Sequence, residues 1–134
     1  LYDNFDKFDT RKKVFNLIYE SIKKQFKRDF SPGKQIKNFT RMNDIIKALK
    51  FCIFNKWEFQ KHLYFQVTGF EISLFEMSDK IAKYLNKSNE CINFGALPYR
   101  SNELMKPKYF FKELPFLGNR KNEADELIKK ELFR

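Results

Sequence analysis

The sequence predicts an α/β domain with about four to five helices and several short strands. Three observations carry that expectation. Apolar residues recur at helical spacing in several separate stretches, as in Val14, Ile18 and Ile22 or Leu74, Met77, Ile81 and Leu85. Between them lie short runs of aromatic and β-branched residues bounded by Gly or Pro. The run from Ile92 to Met105 begins with strand-like alternation and breaks at Gly95 and Pro98. It then presents Tyr99, Arg100 and Glu103, so that a loop forms a polar site at the end of a strand.

A chain of 134 residues fits one domain, large enough for a core but not for two. With 43% hydrophobic and 33% charged residues it is globular rather than disordered. The net charge of +10 favours polyanionic partners: nucleic acid, an anionic membrane surface or phosphorylated small molecules. No apolar run approaches the roughly 18 residues of a membrane helix, and no basic-then-apolar signal opens the chain, so a soluble, cytoplasmic protein is expected. Cys52 and Cys91 stand far apart with no histidine cluster, which argues against a zinc site or a disulfide framework. The single histidine, His62, reads as a surface residue or strand flank.

Taken in order, Leu1-Tyr2-Asp3 reads as the end of a strand that enters a polar loop over 4–10. A helix is expected from about Arg11 to Lys27, with Phe15, Leu17 and Phe26 joining its apolar stripe. Its basic start, Arg11, Lys12 and Lys13, opposes the helix dipole, a mild sign of an anion nearby; a solvated helix start is the alternative. Ser31-Pro32-Gly33-Lys34 is a Pro-then-Gly turn with short strands on either side, at Phe30 and over 35–40. Asn43 or Asp44 then caps a helix to about Phe54, with Ile45, Ile46, Ala48, Leu49, Cys52 and Ile53 inward. Residues 55–61, with Trp57, form an amphipathic connection to a strand over 63–68 that Gly69 ends. Ser73 and Glu76 form a capping-box signature for a helix to about Asn86, its stripe assigned to the core. After the Tyr99 loop, a short helix at about 109–114 and a last one at about 123–133 are expected, separated by Pro115-Phe116-Leu117-Gly118.

Several of these runs, in order and spacing, resemble extended short-chain dehydrogenase/reductases, the NAD-dependent nucleotide-sugar epimerases, dehydratases and reductases. Asn93-Phe94-Gly95 leading into Pro98-Tyr99-Arg100 and Glu103 is similar to that family's strand and Pro-Tyr-Arg-x-x-Glu loop. The run from Ser31 to Leu49 resembles its Gly-x-Gln strand and Asp-x-x-x-Ala-Leu helix, and 1–13 its strand, Tyr-Gly-Pro loop and basic helix start. Phe5-Asp6-Lys7 replaces Tyr-Gly-Pro, and Lys37 stands where related dehydratases carry an arginine, with Asn38 where an acid is common. A lysine keeps the charge but loses the bidentate fork.

The resemblance covers nearly all of 1–134 and is to the C-terminal, substrate-binding portion of such an enzyme. It implies that the N-terminal Rossmann half, with bound NAD or NADP and the catalytic Tyr and Lys, lies upstream of Leu1. The four glycines, at 33, 69, 95 and 118, make no Gly-rich turn for a dinucleotide. Tyr19 and Lys23 match Tyr-x-x-x-Lys only as a string, since the resemblance puts no active pair in that helix. The implied substrate site comprises Lys13, Lys37 and Arg100 at a nucleotide-sugar diphosphate, with Tyr99 and Glu103 shaping the loop. Charged hydrogen bonds contribute roughly 1.5–3 kcal/mol each, so three could supply much of the roughly 8 kcal/mol of micromolar binding. The implied partners are the nucleotide sugar, the missing half and a second copy in a homodimer. A small basic nucleic-acid-binding module is the alternative, disfavoured because the cations spread along all the helices and the aromatics fall mostly on apolar stripes.

Overall fold

The computed structural model describes residues 3–6, 9–55, 64–114 and 123–132. In chain order the elements are β1 (Asp3–Phe5), α1 (Val14–Lys24), β2 (Arg28–Phe30), β3 (Ile36–Arg41), α2 (Met42–Phe54), β4 (Phe65–Gln66), β5 (Phe70–Ser73), α3 (Leu74–Leu85), β6 (Ile92–Phe94), β7 (Lys112–Glu113) and α4 (Ala124–Leu132). The α/β expectation holds, with four helices among the described residues. A three-stranded sheet in the order β1-β3-β5 pairs β1 parallel and β5 antiparallel to β3. Two parallel pairs, β2-β6 and β4-β7, stand apart from it. The strands on either side of the Gly33 turn therefore do not pair with each other: β2 pairs with β6, and β3 enters the central sheet.

Strand β1 continues through Asn4 and Phe5, where a loop was expected. Phe5 replaces a loop residue with a core one. Its ring lies 4.7 Å from Phe15 and 5.4 Å from Phe70, and Phe39 stacks on Phe70 at 5.8 Å. All four rings are buried, and Ile18 and Ile22 of α1, Met77 and Ile81 of α3 and Ile128 of α4 close over them. Aromatic contacts at these separations add roughly 0.5–1.5 kcal/mol beyond area burial, so the abundance of Phe here is structural.

Helix α1 begins at Val14 rather than Arg11 because Asp9 captures the preceding turn. Its carboxylate accepts from the Arg11 backbone N–H at 3.0 Å and from the guanidinium at 2.8 and 2.6 Å. That guanidinium holds the Asp9 carboxyl well below the usual carboxylate range. The helix ends three residues early, where Gln25 turns left-handed and Phe26 N–H returns to the Ser21 carbonyl, leaving Phe26 exposed. Tyr19 and Lys23 are the expected one-turn neighbours, the ammonium 5.2 Å from the ring centre.

Helix α3 follows its capping box as read. Ser73 Oγ accepts from Glu76 N–H and the Glu76 carboxylate accepts from Ser73 N–H. Strand β5 had no expectation attached to it, being four residues that run straight into that cap. The helix expected at 109–114 is a strand instead, β7. Gln66 Oε1 accepts from the N–H groups of both Phe110 and Phe111, and Lys112 and Glu113 pair with Phe65 and Gln66, so these donors are drawn across to β4 rather than back along a helix.

Helix α2 has the expected span but not the expected packing. Only Ala48 of its six assigned inner residues is buried, against Leu114 with Phe51, Phe65 and Val67 alongside. Leu49 and Ile53 are 58% and 72% exposed, and Ile46 and Cys52 are exposed too. The periodicity marks a real apolar face, but among the described residues no element lies over it. Trp57, His62 and the Pro115 to Gly118 turn fall outside the described residues.

Candidate functional site

The loop after β6 is clamped along its length to the turn and strand that precede α2. Gly95 takes a left-handed conformation (φ +86°) with open space where a side chain would point, and lets the chain leave the strand. The N–H groups of Gly95 and Leu97 then donate to the Phe30 carbonyl at 3.0 and 3.1 Å. Next, Tyr99 Oη accepts from Lys34 N–H at 3.1 Å, and Ile36 N–H donates to the Met105 carbonyl at 2.9 Å. Gly33 (φ +75°) makes the facing turn pass under Phe94, whose ring would lie 2.6 Å from an added Cβ.

Two of the five expected site residues, Lys37 and Glu103, meet through their side chains on this scaffold, and Arg100 shares the turn of Glu103. Glu103 N–H donates to the Arg100 carbonyl at 3.0 Å, so these residues share one turn. The Glu103 carboxylate reaches across to Lys37 of β3, with Nζ to Oε1 at 2.7 Å. Both side chains are largely covered, 26% and 15% exposed, which shields the pair from solvent screening. Arg100 is exposed and makes no ion pair or side-chain hydrogen bond with a described residue. Arg100 and Glu103, neighbours in the loop, thus do not pair through their side chains. Tyr99, the fourth, secures the loop.

Lys13 is held elsewhere. Its ammonium donates to the carbonyl and side-chain oxygens of Asn4 and lies 3.4 Å from Asp9. Asn4 pairs with Thr40, three residues along β3 from Lys37, or about 10 Å at ~3.3 Å per residue.

Beside Lys37 opens a cleft of about 720 Å³, walled by Asn38, Gln66, Leu104, Pro107, Phe110 and other residues. Asn38 is buried, donates to Tyr109 Oη at 2.9 Å and accepts from Gly69 N–H at 2.8 Å; Tyr109 Oη also contacts the Glu71 carboxylate. An amide can donate and accept at once, as Asn38 does here. This connection spans 71 residues and had no local signature. No group of three metal-ligating side chains occurs among the described residues.

The fold is that of part of the NAD-dependent nucleotide-sugar epimerases and dehydratases. No protein-family model matches the chain, and no curated protein matches it by sequence. Among solved structures it is similar to the dTDP-glucose 4,6-dehydratase of Streptomyces venezuelae with NAD bound, at TM-score 0.73 and 9% identity over 98% of this chain and 40% of that one. The UDP-glucose 4-epimerase of Thermotoga maritima with UDP-glucose gives 0.71 and 10%, over 98% and 42%. A UDP-N-acetylglucosamine 4-epimerase of Methanobrevibacter ruminantium, in complex with UDP-N-acetylmuramic acid, gives 0.69 and 13%, over 98% and 43%. The chain thus spans about two fifths of each, and at these identities the likeness is one of fold.

Among the described residues no helix is long and apolar enough to cross a membrane. The glycines at 33, 69 and 95 lie under a ring, against a strand carbonyl and in an open turn, none at a strand-to-helix phosphate loop.

Proposed function

We propose that this chain is the C-terminal, substrate-binding portion of an NAD(P)-dependent nucleotide-sugar epimerase, dehydratase or reductase. It receives the sugar nucleotide's diphosphate while a Rossmann half supplies the cofactor and the proton and hydride chemistry. The observation that carries the reading is the clamped loop, which carries Arg100 and sets Glu103 against Lys37, a residue of the cleft wall. Arg100 offers the bidentate fork suited to phosphate and Lys37 a point charge on a strand, while Tyr99 ties the loop to the turn at Lys34. Lys13 joins the site by exchanging Asn4 and Asp9 for the ligand.

The exposed apolar face of α2 supports the same reading, because Leu49, Ile53 and Phe54 form a surface suited to burial against a second unit. The cofactor half is its occupant in this proposal. In the complete enzyme Arg100→Ala is expected to raise the KM for a nucleotide sugar roughly tenfold or more, the loss of one charged hydrogen-bonding group. Cofactor affinity should stay within about twofold. Steady-state kinetics with varied sugar nucleotide and varied NAD check this, and an unchanged KM removes Arg100 from the site.

A further inference from the structure

Glu103 is out of place in a site for anions. The turn at 31–37 and the loop at 95–108 together carry Lys34, Lys37, Arg100, Lys106 and Lys108 against this single carboxylate. It is not spent on one of the exposed cations but on Lys37, the one that is part-buried on a strand beside the cleft. The loop does not depend on the pair to hold its place. Its backbone is tied independently at Gly95, Leu97 and Met105, and its tyrosine at Lys34. Breaking the Lys37 to Glu103 contact therefore requires a side-chain rotation and leaves the loop in position.

We infer that Glu103 is a built-in competitor for Lys37, occupying in the free protein the cation that a phosphate group would take. This rests on the reading of the site as one that binds a diphosphate. A carboxylate at 2.7 Å from the ammonium is a close analogue of a phosphate oxygen in charge and hydrogen bonding. An incoming anion must displace it and then sit near its negative charge, which costs free energy that a small inorganic ion cannot recover elsewhere. A larger ligand recovers it through additional contacts in the cleft. The pair thus lowers the affinity for every anion by the same factor, and free phosphate and pyrophosphate, which lack those contacts, fall below appreciable occupancy while a sugar nucleotide still binds.

The test is titration of inorganic pyrophosphate into the 134-residue chain, followed by calorimetry or phosphorus NMR, for the unaltered protein, Glu103→Gln, Lys37→Met and the double variant. Glu103→Gln should bind pyrophosphate roughly threefold more tightly or better, since the glutamine keeps the shape and removes the charge. With Lys37→Met already present, the same change should gain less than about twofold, because the cation under competition is gone. Equal or weaker binding by Glu103→Gln overturns the inference, as does a gain of the same size in both backgrounds or no measurable binding by any variant. Thermal melts of the four proteins verify that they are folded. Titration of UDP-glucose into the same proteins separates the two proposals: the pyrophosphate pattern without sugar-nucleotide binding leaves the competition in place and removes the substrate assignment.

Discussion

Gly69→Ala is expected to cost about 4 kcal/mol or more of stability, enough to unfold a domain whose total is typically ~5–15 kcal/mol. A Cβ built at Gly69 would lie 1.7 Å from the Phe39 carbonyl oxygen, 2.6 Å from its carbon and 2.8 Å from the Thr40 Cα. All three are backbone atoms of the central strand, so no side chain can move aside. The chain would have to retreat from β3, which would break the 2.8 Å hydrogen bond from Gly69 N–H to the buried Asn38. It would also disturb the register that places Phe70 opposite Phe39. Urea unfolding followed by circular dichroism measures the loss. A variant within about 1 kcal/mol of the parent would mean that β3 and the Gly69 segment do not approach this closely.

Phe5→Ala should be the next most damaging change, at about 3–5 kcal/mol, from lost burial and the cavity left among three other rings. Phe5→Leu keeps most of the volume and should lose much less, about 1.5 kcal/mol or under. The comparison has meaning because an apolar residue of similar size, Ile53, stands 72% exposed on α2. Its replacement by alanine should fall within about 0.5 kcal/mol in this chain. The same urea experiment ranks all three. Equal costs at Phe5 and Ile53 would contradict the division into a buried aromatic cluster and an open helix face.

That division also marks what local sequence could and could not convey. Ser73 and Glu76 announced their helix correctly because a capping box is complete within four residues. The span of α2 was legible because the spacing of its apolar residues is local, but its cap was not: the N-cap is Arg41 rather than Asn43 or Asp44, and Asp44 lies in the first turn, paired with Arg41. Its inner face was not, because a stripe at helical period shows that a face is apolar without showing what packs on it. The strand at Lys112 depends on Gln66 and Phe65, more than forty residues away, and a helix was the reasonable local alternative. Phe5 entered the core through pairing with β3, which nothing near Asp3 specified.

The candidate site divides along the same line. Tyr99, Arg100 and Glu103 were visible as a cluster because they are neighbours in one loop. Lys37 was named through the resemblance, as the position where related dehydratases carry an arginine, and the structure adds that it and Glu103 form an ion pair across 66 residues. Lys13 was grouped with them through a resemblance in a region where Phe5-Asp6-Lys7 departs from the pattern. In the structure its amine is engaged by Asn4 and Asp9.

The most direct measurement of the central claim is a map of backbone amide shifts as UDP-glucose is titrated into the isotopically labelled chain. The account predicts that the largest changes cluster at Lys34 to Asn38 and at Tyr99 to Met105, the two segments joined by the Tyr99 and Glu103 contacts. Changes scattered over the basic residues of α1 and α3, or a spectrum that does not respond, would contradict it.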